Sequence, residues 1–176
     1  MGRLTTAYRE KYSPRGPGAR FRAILLVAAV VAAGCGGAGG SGRTATVQRV
    51  TDGDTIRLVG LGRVRLIGVD TPEVFGGVEC YGREASAFVK QLLHPGSEVR
   101  YRVGVEPRDR YGRLLAYVWL EDGRFLNLLL AEAGYALPLT IPPNVDYADR
   151  FVAAARRARE RKRGLWLACN DGQSAR

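Results

Sequence analysis

The firmest constraint on the fold is a series of short β-prone runs, each cut off by a turn signal, ahead of any long helical pattern. Residues 44–50 are rich in β-branched types and end at Asp52-Gly53. Residues 55–59 read as the returning strand, Gly60-Leu61-Gly62 breaks the chain, and residues 63–69 read as a third strand stopped before Pro72. A helix follows over 83–93, with Ala85, Phe88, Val89 and Leu92 at helical spacing and Pro95-Gly96 ending it. Strands are expected over 98–105 and 114–120, the second closing at Asp122-Gly123. Two more helices are expected, over 126–133 with Gly134 as its cap and over 147–163 with Gly164 after it. In the last, Tyr147, Phe151, Ala155 and Ala158 form the buried stripe and arginines cover the outer face.

Three strands, a helix, two strands and two helices do not alternate as a parallel α/β sheet does. The order suits an α+β, mainly β fold: a five-stranded OB-fold barrel with three packed helices, a common platform for nucleic acid. The domain is expected over residues 44–168, with 169–176 as a carboxy-terminal tail.

Ahead of the domain, Ala23 to Ala33 are 11 consecutive apolar residues behind an arginine-bearing segment. That is short of the roughly 20 needed to span a bilayer, but it fits the core of an export signal. Ala32-Ala33-Gly34-Cys35 follows, which is similar to a bacterial lipobox, although the common leucine is replaced by Ala32. Residues 1–34 are therefore expected to be a lipoprotein-type signal, Cys35 the lipid attachment site, and the glycine-rich 35–43 a tether. The alternatives are an uncleaved amphiphilic tail and a secreted protein with an incidental Cys35. The expected location is extracytoplasmic. The remaining Cys80 and Cys169 read as one disulfide in an exported protein, with two free buried thiols as the alternative.

The formal charge of +10 favours an anionic partner, but much of it lies in the signal region. Residues 35–176 keep 21 bases and 16 acids, a net +5, which by itself fits solubility as well as nucleic-acid binding. There is no oligomerisation signature, and a monomer is expected. His94, the one histidine, lies at a helix end and fits a solvated or carbonyl-bound role; Trp119 and Trp166 read as core.

The chemistry-bearing residues form an ordered set. Val50-Thr51-Asp52-Gly53-Asp54-Thr55 places carboxylates at a tight turn, and Arg65-Leu66-Ile67-Gly68-Val69-Asp70-Thr71-Pro72-Glu73 places more at a strand end. Tyr81-Gly82-Arg83-Glu84-Ala85 and Asp109-Arg110-Tyr111-Gly112-Arg113-Leu114-Leu115-Ala116-Tyr117-Val118 follow. Hard oxygen donors of this kind suit calcium or magnesium. In this order the motifs resemble the staphylococcal nuclease (thermonuclease) family over residues 44–166, with Asn127, Gly134 and Gly164-Leu165-Trp166 extending the match. The resemblance implies a calcium-dependent OB-fold endonuclease acting on DNA and RNA. It implies Asp54 and Asp70 as carboxylate ligands and Thr71 as a carbonyl ligand. Glu73 would be the general base, Arg65 and Arg113 the phosphate-binding catalytic arginines, and Arg110 and Tyr111 neighbours of the bound nucleotide.

Two segments depart from the family pattern. Residues 135–144 lack obvious counterparts of the tyrosines that flank the nucleotide, and the loop 74–78 is short. The rival readings are a noncatalytic nucleic-acid-binding OB module on the envelope and a structural envelope lipoprotein. Both leave the joint presence of the acids and the two arginines unexplained. Arg65 could also be a structural partner of Asp70, which is compatible with binding phosphate.

Overall fold

A computed structural model describes residues 42–169. The expected signal, Cys35 and most of the tether lie outside the described residues, as does the tail beyond Cys169. The strands are β1 (Arg43–Val50), β2 (Thr55–Leu58), β3 (Gly62–Leu66), β4 (Gly68–Asp70), β5 (Glu98–Arg108), β6 (Leu114–Leu120) and β7 (Leu137–Leu139). The helices are α1 (Gly82–Leu92), α2 (Leu126–Ala133), α3 (Ala148–Glu160) and the short α4 (Leu165–Ala168).

Five strands close into a barrel in the order β1-β2-β3-β6-β5. All neighbours are antiparallel except β3 and β6. This is the five-stranded barrel with packed helices that the order of elements implies. Alternation along the strands fills the interior: Ile56, Leu58, Val64, Leu66, Val99, Ala116 and Val118 are buried there. α1 buries Ala85 and Val89, while α2 and α3 contribute Leu126, Leu130, Phe151 and Ala154 to the same core.

The expected single strand over 63–69 is two. β3 stays in the barrel, and β4 leaves it to pair with β7. Gly68, at φ +85°, makes the break, and a side chain there would run into the ring of Phe151. Asn127 seals the gap: its Nδ2 donates to the carbonyls of Ile67 (2.8 Å) and Ala116 (3.3 Å), and its Oδ1 accepts from the Val118 amide (2.9 Å). The break carries Asp70, Thr71 and Glu73 past the barrel wall.

The two tryptophans also depart from expectation. Trp119 and Trp166 are half-buried, Trp119 stacking on Phe125 at 4.8 Å between centroids. β5 runs on to Arg108, three residues past its expected end. Cys80 and Cys169 form a disulfide, tying the start of α1 to the end of α4 across 89 positions. Among the described residues no helix is long and apolar enough to cross a membrane.

Candidate active site

The site is assembled from three chain reversals at one end of the barrel. The β1–β2 turn supplies Asp54, the exit from β4 supplies Asp70, Thr71 and Glu73, and the β5–β6 turn supplies Asp109 to Arg113. Gly53 lets the first turn lie against the second, since a β-carbon there would collide with the Thr71 side chain. Asp54 is 6% exposed. It is fixed by the Thr71 amide (3.0 Å) and hydroxyl (3.2 Å) on Oδ2 and the Thr55 hydroxyl (3.0 Å) on Oδ1. Thr71 thus meets Asp54 through its amide and hydroxyl, not through its carbonyl.

Arg65 joins the acids. Its Nη2 lies 3.1 Å from Asp54 Oδ2 and 2.6 Å from Asp70 Oδ1. Its Nη1 donates to the carbonyls of Leu66 (2.8 Å) and Val69 (2.6 Å). Three of its five N–H donors are therefore engaged in hydrogen bonds within the protein, and Nη2 also forms an ion pair with Asp54. Arg113 is committed differently. Its Nε donates to Asp109 Oδ2 at 2.6 Å, and its Nη1 reaches the Thr55 hydroxyl at 3.5 Å. Nη2 has no protein partner among the described residues. Burial would raise the Asp109 carboxyl, but the hydrogen bonds and charge of Arg113 outweigh it and hold the group below its ordinary range.

The acid cluster is electrostatically crowded. Burial first, then the charge of Asp54, pushes the Asp52 carboxyl from the usual 3.8 up to about 6. Asp70 is raised by burial and by Asp54 and Glu79, against the pull of Arg65. Glu73 is exposed yet raised, by partial desolvation and by Asp54, Asp70 and Glu79 in turn. Glu73 therefore lies within electrostatic reach of the buried Asp54 and the partly exposed Asp70. Among the described residues no three acid or imidazole groups converge tightly enough to cage an ion unaided. Two fixed carboxylates within a crowded acidic field fit a hard cation that keeps part of its water shell. Asp54 and Asp70 are the side chains that would hold it.

Beside the cluster lies an open cleft of about 470 Å³, lined by Arg65, Arg110, Tyr111 and Arg113 on one side and by Leu139, Ile141 and Asn144 on the other. The structure thus brings Arg65, Arg110, Tyr111 and Arg113 to one cleft and sets Asp54, Asp70, Thr71 and Glu73 beside it. Tyr111 is 58% exposed, and the guanidinium of Arg110 lies 4.8 Å from its ring centroid. The wall from β7 onward presents Leu139, Ile141 and Pro142 beside Asn144 instead of tyrosines, which is the departure over 135–144 in physical form.

A family model described as staphylococcal nuclease homologue matches residues 63–168. The chain belongs to the staphylococcal nuclease family. It is 44% identical over 131 residues to a thermonuclease of Staphylococcus intermedius, covering 71% of this chain and 77% of that one. It is 42% identical over 130 residues to a thermonuclease of Staphylococcus hyicus, covering 70% and 76%. Against endonuclease YhcR of Bacillus subtilis (strain 168) the identity is 37% over 134 residues, which is 68% of this chain but 11% of that larger protein.

Three contributors to the site, two of them within the motifs, have no role assigned from the sequence. Asp109 orients Arg113 and also accepts the Tyr111 and Arg113 amides, each at 2.9 Å. Its position four residues before Arg113, around a Gly112 turn, is the signal that could have shown it. The Thr55 hydroxyl links Asp54 to Arg113. Glu79 accepts the Glu73 amide at 3.0 Å, and only the fold of the intervening loop brings it there.

Proposed function

We propose that the protein is a calcium-dependent endonuclease that hydrolyses phosphodiester bonds of DNA and RNA outside the cytoplasm. One observation carries the reading: Arg113, with an uncommitted Nη2, borders the same acid cluster whose field Glu73 shares. A phosphodiester resists attack because it is already anionic, and its transition state gathers charge on the nonbridging oxygens. Arg113 offers planar donors for those oxygens at the cleft edge. Arg65 adds a fixed positive charge and keeps Asp54 and Asp70 in register. Glu73, raised and solvent-facing, accepts a proton from the attacking water as the water oxygen bonds to phosphorus and the leaving P–O bond breaks. A positioned base of this kind contributes about 10²–10⁴-fold. Calcium would be held by Asp54 and Asp70 with the Thr71 carbonyl, and would supply charge neutralisation when bound.

Export is supported by the apolar run of residues 23–33 and by a disulfide, which persists in oxidising compartments. We further propose anchoring through lipid on Cys35 and a monomeric state. The test is cleavage of single-stranded DNA and RNA by the purified protein with calcium, with EDTA, and with Glu73→Gln in place of the parent. Calcium-dependent cleavage that EDTA abolishes and Glu73→Gln lowers at least 100-fold is expected. A folded protein that binds the strand and leaves it intact in calcium would instead be a noncatalytic module.

A further inference from the structure

Outside the cleft, one face of the barrel collects arginines on aromatic rings. Arg100 and Arg102 lie on the same face of β5, opposite Trp119 and Tyr117 of β6. The guanidinium of Arg100 is 5.4 Å from the Trp119 ring centroid. That of Arg102 is 4.9 Å from Tyr117 and 5.3 Å from Tyr147. Arg150 of α3 reaches the same rings, 5.9 Å from Phe125 and 5.6 Å from Tyr147. The rings pack on one another: Trp119 on Phe125 at 4.8 Å, Phe125 on Tyr147 at 5.0 Å and Tyr117 on Tyr147 at 4.8 Å. Arg102 pairs with Asp146 at 2.8 Å, whereas Arg100 and Arg150 have no acid partner among the described residues.

This face is continuous with the cleft. Asn144, which lines the cleft, bonds both backbone groups of Glu106 on β5, and Asp146 and Tyr147 follow it toward Arg102. Gly104 allows the approach, because a β-carbon there would meet the Asn144 side chain. From Arg108 at the cleft to Arg102 is roughly 20 Å of extended strand. The guanidiniums of Arg100 and Arg150, set over rings and without acid partners among the described residues, keep N–H donors for phosphate and offer planes on which bases can stack. Positive charge beside the partly exposed Trp119 and Tyr147 rings, backed by the buried Tyr117 and Phe125, suits a single nucleic-acid strand.

We propose that Arg100, Arg102 and Arg150 on this ring cluster form a second binding segment for a single-stranded substrate whose scissile phosphate lies in the cleft. The inference rests on the nuclease reading above. It makes the physiological substrate a strand of several nucleotides, in keeping with single-strand footprints of about 4–16 nucleotides on OB folds. It also assigns to β5 and α3 the binding surface that the aliphatic segment 137–141 does not offer.

The test uses the whole chain and the variant Arg100→Gln/Arg150→Gln, which leaves the Arg102–Asp146 pair intact. With calcium, kcat/KM is measured on a dinucleotide and on a dodecanucleotide. The variant is expected to cleave the dinucleotide within about twofold of the parent and the dodecanucleotide about tenfold less efficiently, through KM. Its salt slope on the dodecanucleotide should fall by about 1.4, at about 0.7 for each phosphate no longer neutralised. Equal kinetics on the dodecanucleotide overturn the proposal. So does an equal loss on both lengths, which would assign the arginines to packing alone. Anisotropy of a labelled dodecanucleotide in EDTA separates this inference from the nuclease reading. If neither substrate is cut, the nuclease reading fails, and the variant's affinity against the parent's still decides the second segment. Loss of binding to anionic phospholipid vesicles with an unchanged dodecanucleotide affinity would give the face to a membrane and overturn the proposal.

Discussion

Arg65 and Arg113 border one cleft, but they have different donors left to give. Arg65 is 9% exposed and has two carboxylates and two carbonyls on its Nη atoms. Arg65→Ala would leave Asp54 buried beside Asp70 without a counter-charge, so unfolding in urea should show a loss of about 3 kcal/mol together with loss of activity. Arg113→Ala removes a side chain that is 25% exposed and pairs with Asp109 and the Thr55 hydroxyl. Its stability should change by less than about 1 kcal/mol while kcat falls at least 100-fold. Similar destabilisation by both variants would contradict this division. Asp52 makes a separate prediction. Its folded value of about 6 lies above the ordinary 3.8, so the folded chain takes up this proton more readily than the unfolded one. In EDTA the melting temperature should therefore rise as pH falls from 7 to 5.5, and Asp70 and Glu73, also raised, act in the same direction. Asp109 works the opposite way, but only below the ordinary carboxylate range, outside this window. Calcium should shrink the difference, since it relieves the same repulsion. A melting temperature that drops over that interval in EDTA would refute the account.

At the scale of elements, the departure of β4 from the barrel decides where the acids go. Two residues make that departure, and each gives a measurable expectation. Gly68→Ala combines a positive φ with a collision against Phe151 and should cost about 2–4 kcal/mol in urea. Asn127→Ala leaves the Val118 amide and the Ile67 carbonyl without their partner and should cost about 2–3 kcal/mol. The barrel strands, the three long helices and the acid and arginine motifs were legible in the sequence because each rests on a local pattern. They show as an alternation, a helical stripe, or a turn with chemistry next to it. The β3–β4 break was not, because Arg63 to Val69 is β-prone apart from Gly68, and only Phe151, far along the chain, shows what that glycine is for. β7 was not legible either: it is three residues with Pro138 in the middle, and it exists as a strand only because β4 lies beside it. Glu79 belongs to the same class, since its place against Glu73 depends on a loop closure that no short-range pattern encodes.

For the molecule as a whole, the Cys80–Cys169 bond closes a loop that contains α1, β5, β6, α2, β7, α3 and α4. Reduction should lower stability by up to about 4–5 kcal/mol on the chain-entropy estimate, measured as the shift between oxidised and dithiothreitol-treated samples. The loop also divides the site. Asp54, Arg65, Asp70 and Glu73 precede it, whereas Asp109, Arg110, Tyr111 and Arg113 lie within it. Protease nicking therefore has two outcomes set by position. One cut inside the closed part leaves a single covalent molecule. One cut between Glu73 and Cys80, where Phe75 is 66% and Val78 54% exposed, makes two chains, with the acids on one and Arg113 on the other. Those chains share the β1–β5 and β3–β6 seams of the barrel, so they should elute together under native conditions and part only in denaturant. The chain is in this sense built in two parts: an open arm carrying the acids, closed by strand pairing against a covalent ring carrying Arg113.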